Sequence, residues 1–89
     1  MIEREVAIRN RLGLHARAAA KFVQTASRFQ PEIKIRKNGE EVDGKSILGL
    51  LLLAASQGTQ ITIAVSGADE ADAFAAVEDL IARSFDEDQ

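Results

Sequence analysis

Ile33-Lys-Ile-Arg-Lys-Asn-Gly-Glu-Glu-Val-Asp-Gly-Lys-Ser46 contains the turn around which the chain is organised. Ile33 and Ile35 alternate with Lys34 and Arg36, the period of a strand with one buried face. Asn38-Gly39 follows, a pair that tolerates positive φ at both turn positions, so the chain is predicted to reverse as a tight hairpin. The return strand covers about Glu40 to Asp43. Ser46 stands directly before an apolar run, where a hydroxyl can accept from the unpaired amides of a helix's first turn. The helix it opens is predicted to end near Gln57-Gly58, with Gly58 as the stop.

Working outward, residues 2–8 alternate with Ile2, Val6 and Ile8 on one face and read as a strand. Gly13 breaks that pattern, and a helix begins at Ala16. Ala16, Ala19, Ala20, Val23 and Ser27 fall on one helical face, Phe22, Ala26 and Phe29 widen the apolar arc, and Pro31 is the predicted stop. On the other side Ile61, Ile63 and Val65 alternate as a last strand. Ser66-Gly67 turns into a helix from about Asp69 to Ser84, with Asp69, Glu70 and Asp72 in its first turn, Arg83 in its last, and Phe74, Val77 and Ile81 inward. The acidic stretch Asp86 to Asp88 reads as a frayed end. The order β-α-β-β-α-β-α predicts an α+β open-faced sandwich: a four-stranded antiparallel sheet with three helices on one face.

Composition narrows the chemistry. Eighty-nine residues allow one small domain, residues 1–89. With no Cys and one His there is no disulfide, no thiolate nucleophile and no multi-His metal site, so no metal or cofactor is expected. The net charge of −3 is unevenly spread: residues 1–45 carry ten Lys/Arg against six acids, residues 46–89 one against eight. An acidic chain without Trp or Tyr offers no stacking platform for nucleic acid, whereas the basic half could meet an anion or an acidic partner. MIEREVAIRNR has no apolar core of a signal peptide, and the longest apolar run, Ile47 to Ala55, is about half of the ~20 residues that span a bilayer. A soluble, cytoplasmic chain without a membrane role is the expectation.

Leu12-Gly-Leu-His-Ala-Arg17 places the single histidine where a glycine-containing loop enters a helix. The first amides of a helix lack intrahelical partners and, with the helix dipole, favour an anion. Arg17 adds a guanidinium that can hold phosphate oxygens in pairs. An imidazole there could take a phosphoryl group and hand it on, with the helix end stabilising the charge. The alternative is a histidine that only caps the helix, and the residues alone leave both open.

Gly13-Leu14-His15-Ala16-Arg17 with the Ala-rich helix after it resembles the signature of the HPr family, phosphocarriers of the bacterial phosphoenolpyruvate-dependent sugar phosphotransferase system. Gly44-Lys45-Ser46-Ile47 is similar to that family's regulatory-serine region, and the likeness runs from about Glu3 to Ser84. The resemblance implies that His15 takes phosphate on Nδ1 from phosphorylated enzyme I and passes it to enzyme IIA domains, with Arg17 as the phosphate's partner. It implies Ser46 as the target of an HPr kinase/phosphorylase. Ile47, Leu48 and Leu51, with Ala16, Ala20 and Gln24, would form a docking surface on a monomeric carrier. The residues themselves add that Ile47 to Leu53 is apolar all round, so one face covers the sheet and another lies exposed, rimmed by Arg17, Lys21 and Lys45; Leu50 and Leu53 are expected inward. Ala18 stands where many members have Pro, which puts the subgroup in question; a nitrogen-branch or purely regulatory HPr-like protein is the second reading.

Gly39 to Ser46 also matches GxxxxGK[ST], the pattern of an NTP-binding loop. Glu40, Glu41 and Asp43 would set three carboxylates against a polyphosphate, and Gly39 suits the hairpin, so an NTP-binding protein is the remote third reading.

Overall fold

A computed structural model describes residues 1–86; the reading of Glu87 and Asp88 as part of a frayed tail lies outside them. Among these residues the strands are β1 (Ile2–Ala7), β2 (Glu32–Lys37), β3 (Glu40–Asp43) and β4 (Gln60–Ser66). The helices are α1 (Ala16–Ala26), α2 (Ile47–Leu53) and α3 (Glu70–Ala82), followed by a 3₁₀ turn at Ser84–Asp86. The sheet order is β1-β4-β2-β3 and every pairing is antiparallel. The element order and the sheet match the predicted open-faced sandwich.

Register explains which face is dry. Ile33 pairs with Val65 and Ile35 with Ile63, while Ile2 and Val6 stand opposite Val65 and Ile61. These apolar side chains therefore line one face, where α1 packs beside both α2 and α3. Leu50 and Leu53 from α2, and Phe74, Val77 and Ile81 from α3, are buried as predicted. Arg4 falls on the same face at the β1 edge and lays its guanidinium 5.4 Å from the centre of the Phe74 ring.

Four local expectations are corrected. The buried side of α1 is Ala18, Ala19, Phe22 and Ala26, whereas Ala16 is exposed and Ala20 and Val23 are half-buried. Its end is Ala26, ahead of Pro31, because single turns from Arg28 N–H to Thr25 O and Phe29 N–H to Ala26 O take over. α2 stops at Leu53, not near Gly58: Ala54 adopts a left-handed φ of 54°, and Lys37 Nζ donates to the Leu53 and Ala54 carbonyls. A cation on the last carbonyls also suits the negative end of the helix dipole. Arg83 sits one residue past α3 and bonds Asp79 and Asp86.

On the open face Arg36 spans the sheet. It reaches diagonally across β4, past Ala64 and Thr62, to Glu3 on β1 (2.8 and 3.2 Å), and lies 3.2 Å from Glu41 on β3. The Arg36 hydrogen bonds, then its charge, hold the Glu3 carboxyl below its ordinary value. A carboxyl whose folded pKa is depressed contributes stability above the unfolded value and loses it as pH falls through the folded value. Wild type is therefore expected to lose slightly more Tm than Glu3→Gln between pH 7 and about pH 3, and salt should shrink the difference because the pair is exposed. Parallel thermal melts of the two proteins check this; identical acid sensitivity would show that the bridge contributes nothing.

Candidate functional site

The loop between β1 and α1 is tied down residue by residue. Gly13 has a φ of +68°, and a Cβ there would lie 2.5 Å from the Ala55 carbonyl oxygen, so both conformation and space demand glycine. Leu14 is buried and donates its N–H to that same carbonyl at 2.8 Å. Asn10, fully buried, donates from Nδ2 to the Gly13 carbonyl at 2.7 Å, and the Gly13 N–H returns to the Asn10 carbonyl at 3.1 Å. The loop thus delivers His15 to the start of α1 from a fixed direction.

His15 is the N-cap of α1, with extended backbone (φ −80°, ψ 180°), and its Nδ1 accepts the Arg17 backbone N–H at 3.3 Å. Nδ1 is an acceptor in this bond, so the proton of the neutral ring resides on Nε2. The Nδ1 lone pair is thus the one that caps the helix. The bond is long, and Nδ1 faces the start of α1, where unpaired amides favour an anion. No acid lies in the first turn of α1 to oppose an anion. Arg17 is exposed and has no ion-pair partner among the described residues. The first turn forms with Ala18 buried and needs no proline.

Ser46 is the N-cap of α2, its Oγ accepting the Gly49 N–H at 3.0 Å. The preceding segment is a hairpin and not a phosphate cradle. Asn38 and Gly39 take φ values of 51° and 84° in the turn. A Cβ on Gly44 would lie 2.6 Å from Ile33 Cγ2, and Lys45 Nζ donates to the Phe29 carbonyl. Lys21 Nζ likewise donates to the Phe85 carbonyl, so the ammonium groups of these two lysines are held by backbone oxygens.

Ile47, Leu48 and Leu51 are exposed on α2; Ala16 and Gln24 are exposed and Ala20 is half-buried on the adjoining α1. Two further exposed apolar residues were not singled out from the sequence: Leu52, 71% exposed on α2 beside Glu40, Glu41 and Val42 of β3, and Leu12, 66% exposed in the His15 loop. Leu52 was legible in principle from the apolar run Ile47 to Leu53, whereas Asn10, a buried polar residue in a loop, carried no signal.

The family model described as PTS HPr component phosphorylation site matches residues 2–83. A phosphocarrier protein HPr of Neisseria meningitidis serogroup A is 52% identical over 87 residues, covering 98% of each chain. The crystal structure of HPr-C-His from Thermoanaerobacter tengcongensis superposes with a TM-score of 0.96 at 44% identity, over 100% of both chains. A structure of an HPr dimer from the same organism gives a TM-score of 0.79 at 45% identity, covering 98% of this chain and 100% of that one. Fold and matches together define a small phosphocarrier. The chain belongs to the PTS HPr family. Among the described residues no helix is long and apolar enough to cross a membrane.

Proposed function

We propose that this protein carries a phosphoryl group on Nδ1 of His15, taking it from phosphorylated enzyme I and passing it to enzyme IIA domains in cytoplasmic sugar uptake. The observation that carries the reading is the His15 Nδ1 facing the Arg17 N–H at the start of α1. In the transfer the Nδ1 lone pair forms the bond to phosphorus as the donor's bond to phosphorus breaks, and the proton on Nε2 stays in place. The phosphoryl oxygens then accept the α1 amides in place of the ring, while Arg17 balances their charge. Ala16, Ala20, Gln24, Ile47, Leu48 and Leu51 serve as the docking face. Ser46 is the regulatory position for an HPr kinase/phosphorylase, since a phosphate there meets a helix N-terminus that tolerates it while charging an apolar docking face. The acting unit is a monomer, because His15 and its docking face lie in one chain; sedimentation at working concentration tests that point.

Incubation with labelled phosphoenolpyruvate and enzyme I is expected to give one acid-labile, alkali-stable phosphate per chain, absent from His15→Ala. Label that survives in His15→Ala would overturn the assignment. Loss of sugar uptake in cells lacking the gene separates a carrier from a purely regulatory protein.

A further inference from the structure

We infer that Asn10 is the positioning residue of the phosphoryl acceptor, setting where His15 Nδ1 points by clamping the Gly13 carbonyl; this rests on the His15 reading above. Among the described residues Asn10 is the buried polar side chain of an otherwise apolar core. A buried amide is costly unless it is bonded, so its presence under a loop calls for a role that an apolar side chain could not fill.

The geometry supplies one. The Gly13 carbonyl accepts both Asn10 Nδ2–H at 2.7 Å and the backbone N–H of His15 at 2.9 Å. The side chain of Asn10 therefore fixes the oxygen that fixes the His15 backbone. From there the ring reaches back to accept the Arg17 N–H on Nδ1. On the other side of the same planar peptide unit the Leu14 N–H is bonded to the Ala55 carbonyl, so the unit that precedes His15 is held from both ends, by Ala55 and by Asn10. Asn10 lies inside the fold and does not belong to the exposed docking face. Its loss should alter the chemistry of the bound pair more than their affinity, because misplacing a reacting atom by even about 1 Å can cost ~100-fold in rate.

The test compares Asn10→Ala, Asn10→Ser, which keeps a shorter donor, and Val77→Ala, a core cavity in α3 remote from the loop. Phosphoryl transfer from phospho-enzyme I is followed by rapid quench, alongside the ¹⁵N resonances of His15. Asn10→Ala is expected to lower kcat about tenfold with KM within about twofold, and Asn10→Ser should fall between it and wild type. In Asn10→Ala the Nδ1 resonance should lose the signature of an acceptor bonded to Arg17. Val77→Ala is expected to lower Tm and leave both readouts unchanged. Should Asn10→Ala fail to fold, Asn10→Ser carries the same comparison. Wild-type rates and an unchanged Nδ1 resonance in the folded Asn10 variants would overturn the inference, as would an equal kcat loss in Val77→Ala. If wild type itself accepts no phosphate, the transfer reading fails, and the Nδ1 resonance still decides whether Asn10 orients the ring.

Discussion

Gly13→Ala is expected to cost about 3 kcal/mol of stability, the sum of a left-handed alanine at ~1–2 kcal/mol and overpacking at ~1–3 kcal/mol. For a domain of this size that corresponds to a Tm lower by roughly 15 °C. The Cβ would meet the Ala55 oxygen at 2.5 Å and the Ser56 Cα at 2.9 Å, both backbone atoms that no rotamer change can move away. The strain must therefore go into the loop, separating Leu14 from its bond to Ala55 and turning His15 off the start of α1. Phosphoryl acceptance should fall by about 100-fold as a result. Gly58→Ala is the matched control. Its φ of +85° is also left-handed, but nothing lies within 4 Å of the added methyl, so only the backbone cost of about 1–2 kcal/mol is expected. Denaturant melts and labelling rates on both variants check the pair; equal losses would mean that the close approach under Gly13 has no consequence.

Ser46→Asp and Ser46→Ala should separate stability from docking. The hydroxyl caps α2 by accepting the Gly49 N–H, and aspartate caps as well as serine does, so Ser46→Asp should leave stability within about 0.5 kcal/mol of wild type. Ser46→Ala removes the cap and should cost about 1 kcal/mol. The order reverses in phosphoryl transfer. A carboxylate beside Ile47, Leu48 and Leu51 must be desolvated or repelled when a partner covers them, so KM should rise ten- to hundredfold, which corresponds to roughly 1.4–2.8 kcal/mol. The alanine variant should transfer at nearly the wild-type rate. Steady-state kinetics with enzyme I decides between them: a KM for Ser46→Asp equal to wild type would remove Ser46 from the docking face.

The parts of the fold that the sequence makes legible are those where one residue has one physical solution. Asn38-Gly39 demanded a hairpin, Ser46 before an apolar run demanded a cap, and the alternation at Ile33/Ile35 and Ile61/Ile63/Val65 set the dry face of the sheet. His15 was placed correctly at the entrance of α1 for the same reason. The face of α1 was misread because alanine has little hydrophobic contrast: with Ala16, Ala18, Ala19 and Ala20 in one turn and a half, rotating the helix changes the apolar pattern very little. Burial of Phe22 settles its orientation. The end of α2 was hidden because a left-handed alanine is not a local preference; it is held at Ala54 by Lys37, seventeen residues earlier. Gly58 has another task, donating its N–H to Ile8 O as the chain enters β4.

Phe85 belongs to the same group of long-range effects. It lies in a polar terminal stretch yet is fully buried, in a run of three left-handed residues from Ser84 to Asp86, with its carbonyl bonded by Lys21. That contact also accounts for where part of the basic half of the chain goes. Lys21, Lys37 and Lys45 each donate to main-chain oxygens, while Arg17, whose backbone N–H caps onto His15, keeps an exposed side chain.

The most direct measurement is the ¹⁵N spectrum of the histidine-labelled protein before and after treatment with phosphoenolpyruvate and enzyme I. With one histidine in the chain, the assignment is unambiguous. Before treatment Nε2 should carry the proton and Nδ1 should show an acceptor's shift; afterwards Nδ1 should couple to phosphorus, with the Arg17 amide moving in step. Phosphorus coupled to Nε2, or a phosphorylated protein whose histidine spectrum is unchanged, would contradict the account.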